Sequence, residues 1–184
     1  AGQEYFKRIF NQNIEQQSQE LYLPSAFIHA FGKILNDQKI DLLFKSNALS
    51  MPEDESLLAN QQQMDFARTF SVRQNILRKL AESHAADLLR LYQQLNKKSS
   101  YELFTQQMGE RELKNTVLFY LMKIGKTDHI ELCLKQYQTA DNMTSKFSAL
   151  YLLANHQHAN KEKGQVLQDF FELLLHHVQF LHQI

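Results

Sequence analysis

Apolar residues in this chain recur at i, i+4, i+7, i+8 and i+11, and they do so at four separate places. The spacing fits Leu23, Phe27, Ala30, Phe31 and Ile34, and again Ala81, Ala85, Leu88, Leu89 and Tyr92. It fits Leu113, Val117, Tyr120, Leu121 and Ile124, and finally Met143, Phe147, Leu150, Tyr151 and Ala154. At about 3.6 residues per turn, each set lies along one stripe of an α-helix. No alternating run of strand length competes with this pattern. Only 5 Gly and 2 Pro occur in 184 residues, too few for the tight turns of a sandwich or barrel. The sequence predicts an all-α fold.

The joints between the helices are short. Leu23-Pro24-Ser25 starts one helix, with Pro near the first turn, where its missing N–H costs nothing. Ser50-Met51-Pro52-Glu53 starts another, and Glu53, Asp54 and Glu55 suit the positive end of its dipole. A long helical stretch over 64–96 stops at Lys97-Lys98-Ser99-Ser100. Gly125 is expected to close a helix that begins near Glu110, as a left-handed cap, and Asp128 to open the next. Asn142 is expected to cap a helix over 143–154, and a loop at 155–160 precedes the last one. Starts near 110, 127, 143 and 160 leave room only for antiparallel neighbours.

Stacked pairs of this kind form superhelices. Tetratricopeptide repeats want a Trp in each unit, and Trp is absent. The expectation is therefore an armadillo/HEAT-like superhelix of antiparallel helices, a single domain over residues 1–184. The Gln pairs and triplet at 16–17, 61–63, 93–94 and 106–107 read as solvated helix faces.

Lys plus Arg and Asp plus Glu both number 20, so the formal net charge is zero. The balance is local too: residues 1–50 carry five of each sign and residues 101–150 six of each. Nucleic acid is a poor partner for such a surface. The mildly basic segment of Arg68, Arg73, Arg78 and Lys79 reads as a solvated face with i,i+4 ion pairs. The longest apolar runs, 117–122 and 149–154, are six residues, whereas a spanning helix needs about 20. No membrane partner is expected. No basic n-region followed by an apolar stretch opens the chain, and a cytoplasmic location is expected. The first residue is Ala rather than Met, which reads as processing or excision from a longer protein. The lone Cys133 sits among apolar neighbours and reads as a small buried hydrophobe.

Chemistry is sparse. None of the 8 histidines is followed by Glu, so the H-E-x-x-H of zinc hydrolases is absent. His156 and His158 flank Gln157 without a nearby third ligand, and His176, His177 and His182 face different directions on one helix. There is no G-x-S-x-G elbow, and all five glycines are isolated. No catalytic, cofactor-binding or metal residue is assigned.

Two segments go further. Arg111-Glu112-Leu113-Lys114-Asn115 is followed down the chain by Ala140-Asp141-Asn142-Met143-Thr144. Together they resemble the C-terminal helical domain of bacterial aminopeptidase N, a zinc-dependent alanyl aminopeptidase family. That domain shows an R-x-L-[KR]-N helix start and then an A-x-N-M-T segment. Leu23-Pro24, the Asp37-Gln38-Lys39-Ile40-Asp41 run and Met51-Pro52 resemble its upstream progression, so that the likeness covers residues 5–172.

The resemblance implies an armadillo- or HEAT-like superhelix packed over a catalytic domain, enclosing the cavity through which peptides reach zinc. The zinc ligands and the G-A-M-E-N loop of the family belong to that preceding domain. Zinc is then a cofactor of the parent and not of this chain. The implied partners are the parent's catalytic domain and its peptide substrates. The chain alone is expected to be inert. Among the motif residues, which include Thr144, Asn142 would cap, while Met143, with Phe147 and Leu150, would be core. Arg111 and Asn115 would share a helix face and hydrogen-bond a neighbouring loop. After Glu172 the family pattern gives way to Leu173-Leu174-Leu175-His176-His177, which reads as a segment with an early or altered end. A stand-alone scaffold holding a protein or peptide on its concave face is the alternative, and self-association through uncovered apolar surface is a third.

Overall fold

The computed structural model describes residues 2–16, 20–59, 65–96 and 105–181, with backbone alone at 105–106 and beyond 175. These residues form ten helices and no strand. They are α1 (Gly2–Glu15), α2 (Ser25–Asn36), α3 (Leu42–Leu49), α4 (Asp54–Leu58), α5 (Phe66–Ser83), α6 (Ala85–Leu95), α7 (Thr105–Ile124), α8 (Thr127–Thr139), α9 (Met143–Ala154) and α10 (Asn160–Leu181). Two compact units result, residues 1–124 and 125–184. The fold is all-α. The Lys97–Ser100 stop, Gln17, Gln61–Gln63 and His182 lie outside the described residues, as do the side chains of Gln106, His176 and His177.

In the first unit α7 is the element on which α3, α5 and α6 pack. Its stripe of Leu113, Val117, Tyr120 and Leu121 is fully buried, and Leu88 and Tyr92 of α6 lie in the same core. Phe27, Phe31 and Leu35 supply the buried side of α2, while Phe6, Ile9 and Phe10 supply that of α1. Each such side chain is worth about 1.5–3 kcal/mol when fully buried.

Helix starts follow capping chemistry. The Pro24 carbonyl, at φ −59°, accepts from Phe27 and Ile28 as α2 begins. Asp41 caps α3 by accepting from Phe44 N at 2.9 Å, and Asp65 caps α5 by accepting from Arg68 N at 2.9 Å. Helix α3 itself is not marked by any apolar period in the sequence.

The stretch expected as one helix over 64–96 is two. His84, at φ −126° and ψ 22°, separates α5 from α6. Its Nε2–H donates to Ile28 O at 2.9 Å and its ring stacks on Phe31 at 5.5 Å, so the side chain is tied to α2. Gly32 makes room for it: a Cβ there would fall 2.5 Å from His84 Cε1.

Gly125 ends α7 with φ +75°, a left-handed conformation that Gly adopts without a Cβ penalty. Helix α8 then opens on Lys126, with Asp128 inside its first turn rather than before it. The second unit packs α8 against α9 and α9 against α10. Its core includes Cys133, Tyr137, Ala149, Leu153 and Val166. Cys133 is fully buried, its Sγ donates to Ala149 O at 3.5 Å, and burial pushes the thiol up to about 12. It is the inert small hydrophobe that its neighbours suggest.

Candidate functional site

The motif residues fall into two groups, Arg111 and Asn115 in the first unit and Asn142, Met143 and Thr144 in the second. Arg111 and Asn115 lie one turn apart on α7; Arg111 is half-buried and Asn115 is buried. Asn142 has extended backbone and accepts from Ser145 N at 2.8 Å, which makes it the side-chain cap of α9. Its Nδ2 donates to Asp141 Oδ1 at 2.8 Å. Thr144 is exposed.

Met143 and Phe147 are not core, contrary to the sequence expectation. They are 53% and 55% exposed, whereas Leu150 is buried. The reason is the side of α9 that α8 approaches. Ser145 and Ala149 are fully buried there, and Gln136 Nε2 donates to Ser145 O at 3.2 Å. Small side chains let the two backbones come close, and the larger residues are turned outward.

The sequence did not single out the polar cluster of the first unit. Arg73 is buried on α5; its Nε donates to Pro52 O at 2.7 Å and lies 3.6 Å from Asp54 Oδ1. Lys123 Nζ donates to Gln74 Oε1 at 2.8 Å and sits 4.7 Å over the Phe119 ring. Burial, and then the charges of Arg73 and Arg78, lower the Lys123 ammonium to about 8, against a partial opposing effect of Asp54. Tyr120 OH donates to Leu49 O at 2.6 Å, and its burial raises the phenol above the usual range.

The basic segment is therefore not a uniformly solvated face. Arg73 is spent on the α4 start, and Arg68 Nη2 donates to Asn13 O at 3.1 Å. A signal existed: Thr69, Arg73, Ile76, Leu77 and Leu80 keep the same helical spacing as the apolar sets, with two polar residues in core slots. Chemically the cluster holds helix ends and loop carbonyls. These bonds satisfy acceptors that would be costly to bury unpaired.

Among the described residues no donor set is assembled for the zinc that the resemblance assigns to the parent. The rings of His156 and His158 are 5.9 Å apart, but His156 Nδ1 accepts from His158 N at 3.2 Å. Among the described residues no three His, Cys, Asp or Glu side chains are grouped to hold a metal ion. Among the same residues no helix is long and apolar enough to cross a membrane.

Short-jointed helices, with no strand among the described residues and packed on one another within each unit, define a helical-repeat domain. Over residues 1–182 the chain matches the family described as a domain of unknown function, DUF3458_C, with ARM repeats, and it belongs to that family. It is similar to Aminopeptidase N of Escherichia coli strain K12, with 32% identity over 136 residues, 73% of this chain and 15% of that protein. It is similar also to Aminopeptidase N of Haemophilus influenzae, with 24% identity over 187 aligned positions, 94% of this chain and 21% of that protein. Among solved structures it resembles Legionella pneumophila aminopeptidase A in complex with aspartic acid. The TM-score is 0.78 at 21% identity, covering 93% of this chain and 21% of that one, a likeness of fold. The chain thus spans between 15% and 21% of the length of these relatives. It is homologous to the C-terminal helical domain of aminopeptidases.

Proposed function

We propose that this chain is the non-catalytic helical domain of a cytoplasmic zinc metallo-aminopeptidase that removes N-terminal residues from peptides, and that it covers the active-site cavity of its parent. The 32% identity to Escherichia coli Aminopeptidase N carries this reading. The composition supports it, because no His is followed by Glu and the H-E-x-x-H pair that would hold a catalytic zinc is missing from these residues. The zinc would be held, and its bound water activated, by the preceding domain. The domain's own contribution is steric. A wall of packed helices limits what enters the cavity and keeps bulk water from the site. Its partners are the catalytic domain of the same polypeptide and the peptides that domain cleaves. With 20 basic and 20 acidic side chains it offers nucleic acid no grip.

The test begins with the gene. Upstream sequence should encode H-E-x-x-H. The full-length protein should release the chromophore from an alanyl substrate and lose that activity to a chelator. The 184-residue chain should release none, with or without added zinc. An upstream frame without the motif, or a full-length protein without the activity, overturns the enzyme reading. A gene that begins at this chain, together with a partner recovered in a pulldown, replaces it by the stand-alone scaffold.

A further inference from the structure

Helix α9 carries large apolar residues on two of its sides. Its inner side, with Ala149, Leu152 and Leu153, is buried. Its outer side carries Met143, Phe147 and Tyr151, spaced one turn apart and 53%, 55% and 60% exposed. No charge interrupts that side. Lys146 is the helix's only charged residue, and its ammonium lies 4.9 Å over the Tyr137 ring of α8. The side of a helix that faces water ordinarily carries polar residues, and a row of large apolar ones marks a side that is covered.

Helix α10 extends the patch. Leu167, Phe171 and Leu174 recur on one side of it and are 44%, 61% and 47% exposed. Beside them, the Phe170 ring meets the Phe147 ring at 6.2 Å, so the two stripes adjoin. A contiguous exposed apolar face of this kind marks an interaction surface.

We infer that the outer face of α9 and α10 docks onto the rest of the parent polypeptide, as a standing apolar contact within one chain. This rests on the proposed function above. Two observations select the occupant. The curated relatives are several times longer than this chain, which covers 15% and 21% of them, so most of such a protein lies outside these residues. The α9 stripe, which carries no charge, also has nothing to steer a diffusing partner. A tethered domain needs no steering, since the linkage keeps its effective concentration high. The surface that receives it is apolar at its centre and offers a polar group to the Tyr151 hydroxyl.

Hydroxyl-radical footprinting of the full-length protein and of the dilute 184-residue chain decides the matter. Met143, Phe147 and Tyr151 should label several-fold more slowly in the full-length protein, with buried Tyr120 as the floor in both. Met143→Lys and Tyr151→Lys should leave the melting of the isolated chain unchanged and restore Phe147 labelling in the full-length protein. Equal labelling of the two wild-type proteins overturns the inference. So does protection already present in the dilute chain, or protection that grows with concentration as a dimer appears by sedimentation. If the parent carries H-E-x-x-H and releases alanine while the footprints are equal, the docking face alone has failed. If the footprint changes but the motif is missing upstream, the enzyme reading alone has failed.

Discussion

Replacing Tyr120 by Phe removes one oxygen atom from the first unit and nothing else. The residue is 1% exposed, and its hydroxyl donates to Leu49 O at 2.6 Å. Its ring meets Phe31 edge-on at 5.0 Å and Phe119 at 5.4 Å, contacts that Phe would keep. Leu49 is the last residue of α3, so its carbonyl belongs to the final turn, which lacks partners within the helix. The variant leaves that carbonyl unpaired among apolar groups, at a cost of about 1–3 kcal/mol. For a unit of this size, that lowers the melting temperature by about 3–15 °C. The pH dependence gives an independent check. Burial raises the Tyr120 phenol above its ordinary value of 10.0. Above that pH the unfolded chain releases the proton while the folded chain retains it, so wild-type stability falls with rising pH. The wild-type advantage is thus full below 10.0 and narrows above it, because Phe has no proton to retain. Urea unfolding of both proteins at neutral pH and at about pH 11 measures both quantities. A neutral-pH difference below about 0.3 kcal/mol would refute the reasoning, as would a difference that does not change with pH.

Three further outcomes follow from the same geometry. The Lys123 ammonium is lowered from 10.5 to about 8, so between those values the unfolded chain holds a proton that the folded chain has lost, and stability rises with pH across the window. The gain should be about 1 kcal/mol, well below the full shift because the side chain is partly exposed, and Lys123→Met should abolish the slope in urea titrations. Asn142→Ala should cost about 1 kcal/mol and speed amide exchange in the first turn of α9, while Asn142→Ser should keep most of the cap; unchanged exchange in both would count against the cap. With its thiol pushed up to about 12 and its side chain fully buried, Cys133 should stay unmodified by an alkylating reagent at pH 8 until the chain is unfolded, and rapid native labelling would contradict its burial.

Periodicity located the helices better than it located their faces. The Leu113 stripe lies in the core, and Leu118 and Met122 are buried beside it because α3, α5 and α6 all pack on α7, while the Ala81 stripe is divided between α5 and α6 with Ala81, Leu88 and Tyr92 buried. In α5 the same spacing runs through Thr69 and Arg73, which a count of apolar residues passes over. An arginine can occupy a core slot when its stem packs and its Nε reaches a buried acceptor, here Pro52 O. The break at His84 was hidden for a related reason. No Gly or Pro marks it, and it depends on a ring that reaches across to Ile28 O and Phe31. Asp41 and Asp65 are caps of ordinary kind, but without a long apolar run behind Asp41 nothing local announced α3.

Helix α9 shows why an exposed apolar face is hard to read from one sequence. Two overlapping stripes satisfy the same spacing, one through Met143, Phe147, Leu150 and Tyr151, the other through Ser145, Ala149, Leu152 and Leu153. Counting side-chain size favours the first, but the structure buries the second and, of the first, only Leu150. A small, partly polar side allows α8 to approach closely, and Asn142, by capping, holds the helix at the point where that contact begins. Met143, Phe147 and Tyr151 are then displaced outward together, which turns a packing compromise within the unit into an apolar face outside it. The family motif marks the turn where this happens: its Asn142 acts inward on α9, and its Met143 begins the outer stripe.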